Sequence, residues 1–466
     1  YEITCRDWSS DVCSADLLGL GGLLASLNLN PTKRQSLRIY VHDRKQALGL
    51  NPSQRDLEHM QLMTGLKDVS NVSCRHCHGI ELEHLPWNKT RRRHPTPEGL
   101  VHSPAGGGLF VALADLNQVI EIDTATRAIK RRATVPGRPI GLAIAPAGDR
   151  LFVTCRKADT VVALDTARFE VVGTAAVGIG PVGVGFAQTP QGDRLIVANT
   201  GSGDVSVIDV SSMTELARVN TGREPYGVQT SADGRLAFVA SRLAEMPQAD
   251  QVPAAELTVI DTVRTRAVNR YPLESAHLSE SVALDTNRGW ALTPMVRVRN
   301  LIPITQVARG WVMSSGIALA RLDGSEVVQL PLDEANAYFA DPADLVVHPR
   351  GHQAYITSGG GDVVTVLDLD RMFAWLEQAS PAARQRAIHD LELAHDYVVA
   401  RIPTRRNPSR LALSPDGNTL FVAERLEDSI LLIDTRTLET QGRIELGDGG
   451  ADDPIRRGER IFTTAA

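Results

Sequence analysis

One unit of about 42 residues recurs through most of this chain, and it limits the fold more than any other feature. "PEGLVHSPAGGGLFVALADLNQVIEIDTATRAI" begins at Pro97. "PIGLAIAPAGDRLFVTCRKADTVVALDTARFEV" begins at Pro139, and "PVGVGFAQTPQGDRLIVANTGSGDVSVIDVSSM" at Pro181. Further copies start at Pro225, Pro342 and Pro408, and a degenerate one runs from Ser281. Each unit reads as four short strands. An apolar run follows the proline, and a turn such as "SPDGN" supplies Asp and Gly for tight geometry. A second and a third apolar run follow, the latter ending in "IDT", and then a more polar outer strand such as "TQGRIEL". The apolar residues lie in runs bounded by Gly and Asp, not at helical spacing. One such sheet cannot bury its own faces, but radial stacking of seven can. The pattern predicts an all-β, seven-bladed propeller over residues 96–446.

The tract "GDRLFVTCRKADTVVALDTA" resembles the YVTN-type propeller repeat, with "FVTC" where that family usually reads Tyr-Val-Thr-Asn. The resemblance implies a fold and little about activity. Cys155 falls on the second strand of its unit and reads as a buried, inert thiol.

Three units carry insertions: "RLAEMPQADQVPAA" at 242–255, "PMVRVRNLIPITQVARGWVMSS" at 294–315, and a stretch after Asp370. The third reads as two helices, with Asp370 capping the first and Ser380-Pro381 opening the second. Insertions of this kind are expected to project from one face of the ring, where binding sites are usually built.

Ahead of the repeats, residues 19–95 read as mostly helical and contain Cys74-Arg75-His76-Cys77-His78. This spacing is the signature of covalent c-type haem attachment. Two thiols three apart reach two vinyl groups on one porphyrin edge, and the next imidazole lies under the iron as proximal ligand. A zinc site would need a second ligand pair at regular spacing, and a redox dithiol a βαβ context; neither pattern is evident. The stretch "LEHMQLMTGLKDVSNVSCRHCHG" resembles the approach to a haem in the di-haem cytochrome c peroxidase family. The distal ligand is open among Met60, Met63, His84, His94, His102, a residue of the ring, or none, with Met63 taken as the provisional choice. Arg297, Arg299 and Arg309 are candidates to pair haem propionates or an anionic substrate.

The first eighteen residues, with "DWSSDVCSADL", resemble the read-through of a sequencing adaptor and are set aside, with Cys5 and Cys13. At the other end, residues 447–466 read as a linker and an amphipathic helix opened by Asp453-Pro454. Gly458, Ile461 and Phe462 match the lead-in to a further haem site in the di-haem peroxidases. The expectation is a truncated cytochrome c-like domain, loosely ordered in this chain.

A net charge of −6 with no long basic stripe gives no nucleic-acid footprint, and no apolar run approaches the roughly 20 residues of a membrane span. The combined expectation is an electron-transfer protein or oxidoreductase component with one covalent haem c. Its partner would be a redox protein or a small electron donor or acceptor. Covalent haem attachment takes place outside the bacterial cytoplasm, which implies a periplasmic location. The alternatives are a scaffold propeller with a structural haem, and a haem catalyst with an open axial site.

Overall fold

The computed structural model describes residues 93–245, 252–298, 313–334, 337, 339–449 and 453–463. Seven antiparallel sheets account for the repeat, each built from consecutive strands. Blade one runs Pro97–His102, Gly108–Leu113, Gln118–Asp123 and Ile129–Thr134. Blade seven runs Pro408–Leu413, Thr419–Glu424, Ser429–Asp434 and Thr440–Glu445. The first strand of each blade is innermost and packs against the first strands of its neighbours, with blade seven returning to blade one. The degenerate fifth unit has its inner strand broken into Ala276–His277 and Ala283–Asp285. Between blades the apolar faces interlock. Leu109, Val111, Ile120 and Ile122 of blade one, for example, pack on Phe421, Ala423, Ile430 and Leu432 of blade seven.

The "IDT" signature has a local cause. Asp123, Asp165, Asp209, Asp261 and Asp434 end their third strands, and each side chain accepts backbone N–H groups two or three residues on. These Asx turns throw the chain back into the outer strand. Cys155 is fully buried, as the sequence indicated, and burial pushes its thiol up to about 12.

Close approach of the inner strands rests on glycine. A Cβ at Gly99 would sit 2.2 Å from the Ile140 carbonyl oxygen, one at Gly141 2.1 Å from that of Val182, and one at Gly183 1.9 Å from that of Tyr226. The obstacle is backbone, which cannot rotate away. Gly183→Ala is therefore expected to destabilise by about 1–3 kcal/mol in urea unfolding. Gly227→Ala, whose Cβ would be 2.8 Å from the Glu280 carbonyl oxygen, should cost less. Equal midpoints for the two variants would contradict this account.

Strand alternation fixes two faces. The upper face carries the starts of the inner strands and the connections between second and third strands. The insertions of blades four and five arise there, the second after strand Trp290–Val298 and before strand Met313–Arg321. That insertion is shorter than its sequence suggested, because both ends continue the ladder to the pair Val298–Met313.

The blade-six insertion departs from the expectation of a common face. It joins the third strand, Val363–Asp368, to the fourth, Val398–Pro403, and so leaves from the lower face. It contains α1 (Leu369–Gln378), α2 (Pro381–Arg386) and the short α3 (Ala394–Tyr397). The cap of α1 is Asp368, not Asp370, because the strand runs into the helix without an intervening residue. The Asp368 side chain accepts from Arg371 N at 3.0 Å. Asp370 instead contacts Arg288 and His352. Ser380 caps α2 with Pro381 in its first turn, as the sequence indicated. The insertion packs on the outer edge of blade five: Arg384 pairs with Glu326 at 2.8 Å, and the Tyr397 hydroxyl donates to the Pro331 carbonyl at 2.5 Å.

Among the described residues no strand is shared between blades one and seven; side chains hold that joint. Asp428, with a fully buried side chain, accepts from Thr96 N at 2.9 Å and Arg456 Nη2 at 2.7 Å, and lies 3.3 Å from His94 Nδ1. His94 Nε2 meets Asp453 at 2.9 Å. Arg456 and Arg460 belong to α4 (Pro454–Thr463), and Arg460 donates to the Gly449 and Leu426 carbonyls. The helix starts at Pro454, where the sequence placed it, and its Arg456 and Arg460 contact blade seven.

Candidate functional site

The inner strands begin with a Pro-x-Gly pattern in four blades, at Gly99, Gly141, Gly183 and Gly227. At the corresponding position blades five, six and seven carry Ser281, Asp344 and Arg410. Three consecutive blades thus replace a packing glycine with a polar side chain, and the channel wall becomes asymmetric.

The three side chains are tied into the ring. Ser281 Oγ donates to Asp344 Oδ1 at 2.6 Å. Asp344 Oδ2 accepts from Leu411 N at 2.8 Å, and Oδ1 from Leu345 N at 3.0 Å. Burial raises the Asp344 carboxyl above its ordinary range, and Arg410 only partly offsets this. Arg410 crosses the lumen. Its Nε donates to the Glu98 carbonyl of blade one at 3.1 Å, and its Nη2 to the Tyr226 hydroxyl of blade four at 3.2 Å. Arg410 and Arg242 both lie over the Tyr226 ring, 5.3 and 5.1 Å from its centroid.

Further charges surround this bridge on the upper face. Arg242 Nε is 2.8 Å from Glu280, an ion contact without good hydrogen-bond alignment. Glu98 faces Arg425 at 3.4 Å and Arg138 at 3.9 Å. Burial pushes the Glu98 carboxyl up, but Arg425, Arg138 and Arg410 together hold it below its ordinary value. For Arg410, burial works against the charged form, yet Tyr226, Asp344, Glu280 and Glu98 outweigh it. Below the bridge the channel is a chamber of about 420 Å³ with walls that include Leu142, Val184, Val228, Val346 and Leu411. It continues toward the lower face past Pro146, Phe186 and Thr230. Such a space, lined by aliphatic side chains and by several polar and charged groups, can hold a small molecule.

The residues singled out from the sequence are distributed differently. Cys74, Cys77, His78, Met60, Met63, His84, Arg299 and Arg309 lie outside the described residues. Of the rest, His94 has both ring nitrogens against carboxylates and holds the joint between blades. His102 sits at the lower end of its strand, with Nδ1 on the Ser103 carbonyl and its ring 5.5 Å from that of Phe421. Arg297 lies against His389 at 3.3 Å, on the flank of blade five and not in the channel. Among the described residues no group of three or more His, Cys, Asp or Glu could hold a metal ion. No described helix is long and apolar enough to cross a membrane. The channel residues escaped sequence reading because Arg410 and Tyr226 lie 184 residues apart. The visible signal was the loss of glycine at one register position in three successive units.

Comparison with known proteins gives one direction. No protein-family profile matches the chain. Over 235 residues it is 28% identical to hydrazine synthase subunit beta of Kuenenia stuttgartiensis, covering 50% of this chain and 59% of that protein. The chain thus spans about three-fifths of the length of the curated relative it matches. A solved chain of Kuenenia stuttgartiensis hydrazine synthase superposes with a TM-score of 0.69 at 25% identity, over 75% of this chain and 98% of that one. A chain of a mitotic checkpoint complex superposes with a TM-score of 0.50 at 14% identity, over 72% and 90%, and speaks for the fold alone.

Proposed function

We propose that this chain is a haem-bearing subunit of an extracytoplasmic redox assembly, in which the propeller is the rigid body and residues 19–95 carry the cofactor. One observation carries this reading: the Cys74-Arg75-His76-Cys77-His78 pentad stands in a chain similar to hydrazine synthase subunit beta. The donor set suits haem c, with two thiols for the vinyl groups and one imidazole for the iron. Bound there, the haem supplies one-electron chemistry. His78 is the proximal ligand.

On the distal side Met63 is the provisional ligand, with Met60, His84, His94 and His102 as the alternatives; His94 is engaged by Asp428 and Asp453. The YVTN-type repeat, the cytochrome c peroxidase-like lead-in and a periplasmic location belong to the same proposal. So does a protein partner, since the similar protein is one subunit among several by its name. The test is expression of the full chain in a host with haem-maturation machinery. Expected are a haem stain that survives denaturing electrophoresis, a mass increased by one haem, and loss of both in Cys77→Ala. A parent chain with no covalent haem under those conditions would overturn the reading.

A further inference from the structure

Arg410 is held charged by carboxylates around it but makes no direct ion pair with any of them. Glu98 is engaged by Arg425 and Arg138, Glu280 by Arg242, and Asp344 by Ser281 and two backbone N–H groups. Arg410 donates to a carbonyl and a phenol, and has no carboxylate within 4.0 Å among the described residues. Its Nη1 donates to no described residue. A guanidinium over a confined space with a free N–H and no direct ion pair can take a planar anion. The walls below it are aliphatic, and the chamber of about 420 Å³ is of ligand size.

We infer that the propeller channel binds a small organic monocarboxylate, with its head group on Arg410 and its apolar body along Leu142, Val184, Val228 and Val346. Two features fix the orientation. The Arg410–Tyr226 bridge lies across the upper end, so the ligand reaches the chamber from the lower face. The engaged carboxylates beside Arg410 leave no anionic site free for a cationic head group. A phosphate or dianion is disfavoured by Glu98, Glu280 and Asp344 close by.

The test is calorimetric titration of the full chain with hexanoate and, separately, hexylammonium. Hexanoate should bind saturably at one site and hexylammonium should not. Arg410→Met should weaken hexanoate at least about tenfold, because a charge-assisted pair is lost. Val228→Phe keeps the guanidinium but fills the wall, and should also weaken binding; it decides the matter if Arg410→Met does not fold. Absence of saturable hexanoate binding to the folded chain overturns the inference. So does equal binding of hexylammonium, or unchanged hexanoate affinity in a folded Arg410→Met or Val228→Phe variant.

Discussion

An Asp428→Ala variant is expected to lose about 3–5 kcal/mol of stability, the range for breaking a buried ion pair from one side. The substitution takes from Arg456, whose side chain is 2% exposed, its buried carboxylate, leaving it Glu459 at 3.2 Å and the Arg425 carbonyl, and strips Thr96 N and His94 Nδ1 of their contact. These groups join the first blade, the last blade and α4, so the loss should open the ring at one joint. Urea unfolding of parent and variant measures it; a difference under about 1 kcal/mol would contradict the account. The double variant Asp428→Ala/Arg456→Met should recover part of the loss, since the buried guanidinium deprived of Asp428 is then gone as well. The same joint should weaken in acid. Asp453 is held below the ordinary carboxylate range chiefly by its hydrogen bond with His94. Its contribution is complete above about pH 4 and is lost as pH falls below that through its depressed value.

A comparable loss, about 3–5 kcal/mol, is expected for Trp290→Ala, from the cavity a buried indole leaves. Trp290 is 2% exposed; its ring lies 6.0 Å from that of Phe373 on α1 at an interplanar tilt of 37°, and the Arg321 guanidinium lies 4.2 Å over it. Around it Leu292, Ile317, Leu330, Met372, Leu376 and Tyr397 form one core shared by blades five and six and the inserted helices. Hydrogen exchange separates local from global effects. The amides of Leu369–Gln378 should lose protection before those of blade two. Uniform loss across the ring would show that the indole does not specifically anchor the insertion.

The ring itself was legible because its determinants are local and repeated. Proline opens the inner strand, Asp closes the third strand through backbone hydrogen bonds within three residues, and Gly turns the hairpins. Where the determinant was a junction, reading failed by small steps. Asp368 displaced Asp370 as a cap because no residue separates strand from helix. The insertion of blade five shrank because Pro294 and Ser315 pair within the ladder instead of leaving it. The channel site was illegible for another reason. Its partners come from blades one, four, five, six and seven; stacking of neighbouring blades brings Asp344 to Ser281, and only ring closure brings Arg410 to Tyr226. His94, a plausible metal ligand by position, became a structural residue through Asp428 and Asp453, more than 330 positions away.

The absence of a shared strand at the joint has a consequence during synthesis. Blade one leaves the ribosome with Leu109, Val111, Leu113, Ile120 and Ile122 formed into a face whose cover, Phe421 to Leu432, lies some three hundred codons downstream. At about 10 residues per second that face waits roughly half a minute in water. Every later blade is covered on arrival by its predecessor, so the nascent chain carries one persistent greasy flank and not seven. A holdase that recognises extended apolar β-surface would find its target there, and would be released only when translation reaches Asp428.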